Sequence, residues 1–173
     1  MSSDHAPLIL TLKLDDESFR YFTALRDEHF PAERNYLSAH ITLFHKLPGN
    51  EEAHICEILA DTSAEQPPLP LHFPGVQPLG GGVAVQVEAP ELLRMRQRLA
   101  SAFEGWLSPQ DQQRFRPHIT VQNKVQKETA AALYAQLSKS WKAFDGVGEG
   151  LILWRYRGGP WARIDEFLFP SIE

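Results

Sequence analysis

Hydrophobic residues recur along this chain with two periods, and the change from one period to the other divides it into strands and helices. Leucine stands at every second position of Leu8–Leu14, which predicts a strand with those side chains on one face. A helix is expected next, extending to about residue 29. Asp15 can cap it, and Phe19 and Phe22 recur at helical spacing on the side expected to be buried.

The same two periods predict further elements through the rest of the chain. Helices are expected after Asn50, after Pro90 and over residues 130–141, and strands near Leu71, over residues 83–88 and as a pair within residues 150–169. The glycine run at residues 80–82 predicts a hairpin turn, and Arg94, Arg96 and Arg98 are expected on a solvent-exposed helix face. The order of the elements predicts an α+β fold of antiparallel sheets with outer helices, in two related lobes.

A short segment occurs twice, 78 positions apart, and each copy falls in a predicted strand. Residues 39–44 read Ala-His-Ile-Thr-Leu-Phe, and residues 117–122 read Pro-His-Ile-Thr-Val-Gln. Because side chains alternate along a strand, His40 and Thr42 are expected on one face of the first strand. His118 and Thr120 are expected to share a face of the second. Two such strands facing each other would place two imidazoles and two hydroxyls around one small site.

The composition is that of a soluble globular protein of ordinary size. The chain has 173 residues, of which 43% are hydrophobic and 23% charged, and this balance argues against a disordered chain. No stretch approaches the roughly 20 apolar residues that span a bilayer, and the first residues lack the pattern of a signal peptide. The single cysteine, Cys56, excludes an internal disulfide and a multi-cysteine metal site. We expect a cytoplasmic protein with one two-lobed domain over residues 1–173.

The net charge of −5 argues against a partner that presents many phosphates. Proteins that bind long nucleic acids carry a basic surface that neutralises several phosphates. Such a surface is not expected over the whole protein, although Arg114, Arg116, Lys124 and Lys127 gather around the second copy of the repeat. That distribution suits a phosphate-sized target, so neither a long duplex nor a membrane is expected as the partner.

The repeated residue types form a complete set for cleaving a phosphodiester without a metal ion. A neutral imidazole can remove a proton from an attacking water, while a protonated imidazole delivers one to the leaving oxygen. A threonine hydroxyl on the same strand face can donate a hydrogen bond to a non-bridging phosphate oxygen. Arg116 has the strand parity of His118 and would add positive charge if the strand extends that far. The predicted site therefore holds His40 and His118 as the acid–base pair, with Thr42, Thr120 and Arg116 as phosphate ligands.

The residues alone leave two alternatives open. The histidines could be half-buried strand residues without a chemical role, although two copies in matching places are a rarer coincidence than one. A metal site is the second alternative. It is disfavoured because His40 and His45 have opposite strand parity and neither copy supplies an acidic ligand. We therefore expect neither a metal nor another cofactor.

The two segments resemble the signature of the two-histidine phosphoesterase superfamily. The matching residues are His40-Ile41-Thr42-Leu43 and Phe115-Arg116-Pro117-His118-Ile119-Thr120-Val121. They are similar in particular to those of the bacterial 2′-5′ RNA ligase-like proteins and the RNA 2′,3′-cyclic phosphodiesterases. The resemblance implies two pseudo-symmetric lobes of antiparallel sheet with outer helices around a central cleft, and the two motifs facing each other across it.

The resemblance also implies an activity and a substrate class. Members open 2′,3′-cyclic phosphates to 2′-phosphates without a metal, and some join RNA ends in reverse through a 2′-5′ linkage. On this basis we assign His118 as base and His40 as acid, an assignment that could be exchanged. The expected partners are RNA ends or small nucleotide cyclic phosphates, with Phe44 and Tyr156 as candidate base-stacking residues. A protein that binds such ends without cleaving them is the alternative function, and the oligomeric state is left open.

Overall fold

A computed structural model describes residues 5–171 of the chain, in which eight strands and four helices follow one another. The strands are β1 (Leu8–Leu14), β2 (Ile41–Leu47), β3 (Leu69–Phe73), β4 (Val76–Leu79), β5 (Gly82–Gln86), β6 (His118–Gln122), β7 (Phe144–Arg155) and β8 (Ala162–Leu168). The helices are α1 (Asp16–His29), α2 (Glu52–Ala64), α3 (Pro90–Ala102) and α4 (Lys127–Ser140). None of these four helices is both long enough and apolar enough to cross a membrane.

The strands form two antiparallel sheets, and the two copies of the repeated segment lie in different sheets. The first sheet has the order β2-β1-β7-β3, in which β3 pairs with residues 144–148 of β7 and β8 pairs with residues 150–155. The second sheet has the order β4-β5-β6. β2 begins within the first His-x-Thr segment, directly after its histidine, and β6 carries the whole of the second. Each is an edge strand of its sheet, and the two strands contact each other. The α+β class predicted from the order of the elements is confirmed.

The helices cover the sheets in an exchanged arrangement that ties the two lobes together. α1 follows β1 of the first sheet but packs on β6 of the second, where α4 packs against β4 and β5. α3 follows β5 of the second sheet but packs against β3 of the first, where α2 packs against β7 and β8. Buried apolar residues from both sheets form one cluster, which includes Phe22, Phe73 and Phe103. Each motif strand is therefore supported by elements from both halves of the chain.

Several boundaries follow local signals in the sequence. Asp15 accepts a hydrogen bond from the backbone N–H of Ser18 (3.1 Å), as expected of the residue that caps α1. Gly80 and Gly81 form the turn of the β4–β5 hairpin, and Gly82 begins β5. The β7–β8 hairpin turns through Gly158 and Gly159, whose φ angles of 86° and 100° favour glycine. β4 was not predicted because Pro78 interrupts its pattern, and the strand accommodates the proline at a sheet edge.

Two expectations about burial are wrong. Phe19, expected on the buried side of α1, is 37% exposed, and the buried residues of that helix are Ser18, Phe22 and Arg26. Arg96, expected on a solvent-exposed face of α3, is only 7% exposed. In both helices an arginine occupies the buried stripe, which a hydrophobic pattern cannot indicate.

Candidate active site

The two histidines of the repeated segment occupy matching places at the starts of the motif strands. His40 immediately precedes β2, and His118 is the first residue of β6. Both side chains are partly buried. The two motif strands contact each other, which brings the histidines at their starts towards each other. Burial is the main cause of a lowered pKa of His40, and the charge of His118 adds to it. The fold thus brings together two imidazoles that are 78 positions apart in the chain.

Each imidazole is held by the same kind of hydrogen bond. Nδ1 of His40 lies 2.8 Å from the carbonyl oxygen of Ser38, and Nδ1 of His118 lies 2.9 Å from that of Arg116. Because a carbonyl oxygen can only accept, Nδ1 carries the proton in both rings. In a neutral ring Nε2 is then the nitrogen that can accept a proton. In both rings Nε2 is thus the nitrogen left for other partners, and each ring is oriented by the backbone carbonyl two residues earlier.

His40 is a neutral imidazole in the ligand-free protein. Burial lowers its pKa from 6.5 to about 4, the hydrogen bond to Ser38 opposes this shift, and the positive charges of Arg26, His118 and His45 add to it. At neutral pH the ring can accept a proton at Nε2 but has none to donate there. This state does not suit the acid role that the sequence analysis assigned to His40, and it favours the role of base.

The two threonines follow their histidines at the same interval. His118 and Thr120 pair with two residues of β5 that are also two positions apart, so both lie on one face of the second sheet. Thr42 lies two residues after His40 in the first motif strand. Both threonine side chains are partly buried. Each histidine is thus accompanied by a hydroxyl on a regular strand.

A β-bulge follows the threonine in both motif strands. In β2 the register advances two residues, from Thr42 to Phe44, while β1 advances one. In β6 it advances two residues, from Thr120 to Gln122, while β5 advances one. The extra residue reverses the alternation of side chains at this point. The assignment of Phe44 as a stacking residue is therefore wrong, since its ring is fully buried against Phe103 and is closed to a nucleobase.

An aromatic recess lies beside His40. Its cavity of about 440 Å³ is within the size range of small-molecule sites. Trp161 packs against the imidazole of His40, with ring centroids 4.9 Å apart, and Trp154 lies 6.1 Å from Trp161. Nε1 of Trp154 donates to the hydroxyl of Thr11 (2.9 Å), which fixes the indole, and Tyr36 also lines the recess. Trp161 was not identified from the sequence because it lies just after the hairpin glycines, where no strand parity applies.

Of the predicted site residues only His40 lines this recess, and His118, Thr42 and Thr120 lie outside its lining. β6 begins at His118, so the strand does not extend to Arg116 and the parity argument for that residue does not hold. The exposed side chain of Arg116 instead lines a separate cavity with Gln77 and Gln86. Tyr156 is 42% exposed and lies after the end of β7, outside the lining of the recess. Among residues 5–171, no three His, Cys, Asp or Glu side chains are grouped as a metal site.

Three buried charged residues next to the motif strands were not identified from the sequence. Arg26, Arg96 and Asp111 are 5%, 7% and 1% exposed. Arg26 donates to the backbone of β6, Arg96 donates to the backbone of β2, and Asp111 accepts from the backbone of β2. The available signal for the two arginines was spacing, since Arg26 lies four residues after Phe22 and Arg96 four residues after Leu92. Asp111 lies in a polar stretch that gives no such signal.

Comparison with protein families and solved structures finds relatives over nearly the whole chain. Residues 14–160 match the family model of the 2′-5′ RNA ligase superfamily. No curated protein matches the sequence. The crystal structure of TT0787 of Thermus thermophilus has a TM-score of 0.70 at 16% identity, over 96% of this chain and 100% of that chain. E. coli LigT complexed with 3′-AMP has a TM-score of 0.63 at 16% identity, and LigT complexed with phosphate 0.58 at 17%, each over 96% of this chain and 99% of that chain.

Proposed function

The chain belongs to the 2′-5′ RNA ligase superfamily, and from this premise we propose that it is a metal-independent phosphodiesterase that opens 2′,3′-cyclic phosphates to 2′-phosphates. The observation that carries the proposal is the pair of equivalent imidazoles, His40 and His118, each with Nδ1 bound to a backbone carbonyl, which leaves Nε2 as the nitrogen available for proton transfer. The same groups serve a related transesterification, in which a 5′-hydroxyl attacks phosphorus in place of water, the bond to O3′ breaks and a 2′-5′ linkage forms.

In the proposed mechanism, proton transfer is divided between the two histidines. Nε2 of neutral His40 takes a proton from water as the water oxygen bonds to phosphorus. The bond from phosphorus to O3′ breaks, and O3′ takes a proton from Nε2 of protonated His118. The phosphate stays on O2′, and the two rings return to their starting states by exchange with solvent. This assignment of base and acid is the reverse of the one made from the sequence, and the low pKa of His40 supports it.

Thr42 and Thr120 are the proposed phosphate ligands. Each hydroxyl lies two residues from a histidine on a strand, so the distance between the proton-transfer group and the hydrogen-bond donor is fixed before the substrate binds. Donors held in this way stabilise the negative charge that develops on the non-bridging oxygens as the water attacks.

Small nucleotides and RNA ends are the proposed substrates. E. coli LigT, which shares the fold, is complexed in solved structures with 3′-AMP, ATP and NADP+. Trp161 and Trp154 beside His40 provide ring faces on which a base can stack, in place of the buried Phe44. The net charge of −5 provides little attraction for a long RNA.

Turnover of 2′,3′-cyclic AMP by the purified protein in excess chelator tests the proposal directly. We expect 2′-AMP as the product, identified by chromatography against 3′-AMP, with no loss of rate when the chelator is present. A cyclic phosphate without a base, such as glycerol 1,2-cyclic phosphate, should react with a higher KM because stacking is lost. Binding of 2′-AMP without any turnover of the cyclic substrates would instead identify a non-catalytic binder. Formation of 3′-AMP would contradict the proposed cleavage of the bond to O3′.

The acidic limb of kcat/KM is expected near pH 4. A general base must be neutral, so activity falls as the pH drops through the pKa of His40, which burial lowers from 6.5 to about 4. Since kcat/KM reports groups of the free enzyme, it reflects this ligand-free value. The measurement is kcat/KM for 2′,3′-cyclic AMP between pH 3.5 and 8, with circular dichroism at each pH to show that the protein is folded. An acidic limb centred near pH 6.5 would contradict His40 as the base.

A further inference from the structure

We propose that Arg26 and Arg96 are a reciprocal pair of positioning residues that together fix the separation of His40 and His118, an inference that rests on the proposed function. Each arginine lies on a helix of one lobe and hydrogen-bonds to both motif regions. Neither arginine is one of the groups proposed to contact the substrate. Their proposed role is to hold the backbone segments that carry the histidines and threonines of the two motifs.

Arg26 joins the approach to the first motif to the strand of the second. Its Nε donates to Oδ1 of Asn35 (2.8 Å), in the segment that leads to His40, and its Nη1 donates to the carbonyl oxygen of Thr120 in β6 (3.1 Å). The guanidinium also lies 4.1 Å from the ring centroid of Phe30. The guanidinium of Arg26 therefore binds a side chain five residues before His40 and a backbone carbonyl two residues after His118.

Arg96 makes the mirrored set of contacts. Its Nε donates to the carbonyl oxygen of Leu43 in β2 (3.0 Å), and its Nη2 donates to the carbonyl oxygen of Asp111 (2.9 Å) in the loop that leads to the second motif. The guanidinium lies 4.0 Å from the ring centroid of Phe44 and 5.2 Å from that of Phe115. Arg96 thus holds the strand of the first motif and the approach to the second.

The acceptors of these bonds explain why a guanidinium is suited to both places. Leu43 and Thr120 lie at the bulges of two edge strands, where ladder hydrogen bonds are interrupted and carbonyl groups need another donor. The planar guanidinium has five N–H donors in a fixed fork, so it can hold two segments at a set distance, whereas an ammonium or an apolar side chain cannot. Burial of both cations is costly, and it lowers the pKa of each. The hydrogen bonds from each guanidinium to the two segments that it bridges offset the free-energy cost of burial.

Arg26 differs from Arg96 in acting also on the charge of His40. The positive charges that lower the pKa of His40 come from Arg26 on α1, His118 on β6 and His45 on β2. The recess beside the ring also holds charged side chains of both signs, from Lys13, Asp16, Glu149, Arg163 and Glu166. Removing the charge of Arg26 should therefore raise the pKa of His40, whereas removing the charge of Arg96 should leave that pKa unchanged.

Four variants separate the geometric effect from the effect of charge. Arg26→Met and Arg96→Met remove both, whereas Arg26→Lys and Arg96→Lys keep the charge but cannot bridge two acceptors in the same way. Arg20→Met and Arg94→Met are matched controls, because both arginines are exposed on the same two helices. The kcat and the acidic limb of kcat/KM are measured for 2′,3′-cyclic AMP. Urea unfolding at the same temperature shows that each variant is fully folded under the conditions of the assay.

We expect kcat to fall by about 10- to 100-fold in the four variants at Arg26 and Arg96, the effect of a displacement of about 1 Å between reacting groups. The acidic limb should move to higher pH in Arg26→Met but not in Arg26→Lys or Arg96→Met. The two controls should match the parent. If the folded Arg26 and Arg96 variants keep the parent kcat and pH profile and lose only stability, the arginines are merely structural and the inference is wrong.

A second measurement keeps this test independent of the proposed function. The titration of the His40 ring can be followed by ¹H–¹⁵N NMR, and the affinity for inorganic phosphate by calorimetry, in a protein that shows no turnover. Reduced phosphate affinity in the four variants, with a raised pKa of His40 in Arg26→Met alone, would support the positioning role even if the cyclic phosphodiesterase assay fails. If the parent shows no turnover, and the variants have the same phosphate affinity and the same pKa of His40 as the parent, both proposals are wrong.

Discussion

Replacing His40 or His118 by alanine is expected to lower kcat/KM for a 2′,3′-cyclic nucleotide by about 10²- to 10⁴-fold, the usual contribution of one positioned acid or base. His40→Ala removes the group that deprotonates water, and His118→Ala removes the group that protonates O3′. Because both act in one displacement, the double variant should lose much less than the product of the single losses. The measurement is the initial rate of formation of 2′-AMP at pH 7.

The control for this experiment is His72→Ala. His72 is also a partly exposed strand histidine, with Nδ1 2.6 Å from Oδ1 of Asp145, but it lies on β3 and is not in the site. It should keep the parent activity. The affinity of the His40 and His118 variants for 2′-AMP should change much less than their rate, since both variants keep the two threonines and the tryptophan rings of the recess. An equal loss of affinity and rate would show that the histidines act as ligands and not as an acid–base pair.

The sequence predicts the motif strands and the fold class because both rest on periodicity. β1 has the predicted bounds, and α1 begins after its predicted cap Asp15. The second His-x-Thr segment lies in a strand, and in the first the strand begins one residue after His40. Period-2 and helical patterns report which side chains face a core, and that information is local. The two motif strands lie in separate sheets, and α1 and α3 each pack on the sheet to which the preceding strand does not belong. Both features depend on long-range packing, which no local pattern encodes.

The misplacement of Phe44 has a definite physical cause. Parity along a strand holds only while the ladder is regular, and the bulge after Thr42 shifts the side chains that follow it by one place, Phe44 among them. The same shift after Thr120 buries both Val121 and Gln122. A bulge carries no obligatory residue type, so neither could be identified from one sequence. The symmetry of the two bulges is nevertheless visible in the structure, and it explains why both motifs end in two adjacent buried residues.

The buried arginines were missed for a different reason. A hydrophobic pattern counts arginine as a surface residue, and Arg94, Arg96 and Arg98 are spaced so that they look equivalent. Only Arg96 falls on the apolar stripe, where its donors reach the carbonyl groups of Leu43 and Asp111. Burial of a charge is favourable only where partners are available, and the partners here come from distant segments. Such a residue becomes identifiable when tertiary structure is known.

Asp111→Ala is expected to have the largest effect on stability, a loss of about 3–5 kcal/mol in the free energy of unfolding. The carboxylate is 1% exposed and accepts from the backbone N–H groups of His45 (2.8 and 2.9 Å) and Lys46 (2.9 Å), and it lies 3.0 Å from Nδ1 of His45. These N–H groups lie at a second register shift of β2, between the partners of Leu8 and Leu10, and alanine would leave them unsatisfied. Each such buried donor costs about 1–3 kcal/mol. Urea unfolding at pH 7 measures the loss, with the exposed Asp61→Ala on α2 as the control.

The dependence of this loss on pH distinguishes the carboxylate from simple packing. Burial raises the pKa of Asp111, but the hydrogen bonds from His45 and Lys46 outweigh it, and the pKa lies below its ordinary value of 3.8. A carboxyl group with a lowered pKa stabilises the folded state above the pKa of the unfolded chain and loses that contribution as the pH falls through the folded value. The difference in stability between the parent and Asp111→Ala should therefore be constant above about pH 5 and should narrow below pH 3.8. A difference that is the same at pH 3 and pH 7 would show that the side chain of Asp111 acts through its volume. The contact between Asp111, in the loop before the second motif, and the backbone of β2 would then not depend on charge.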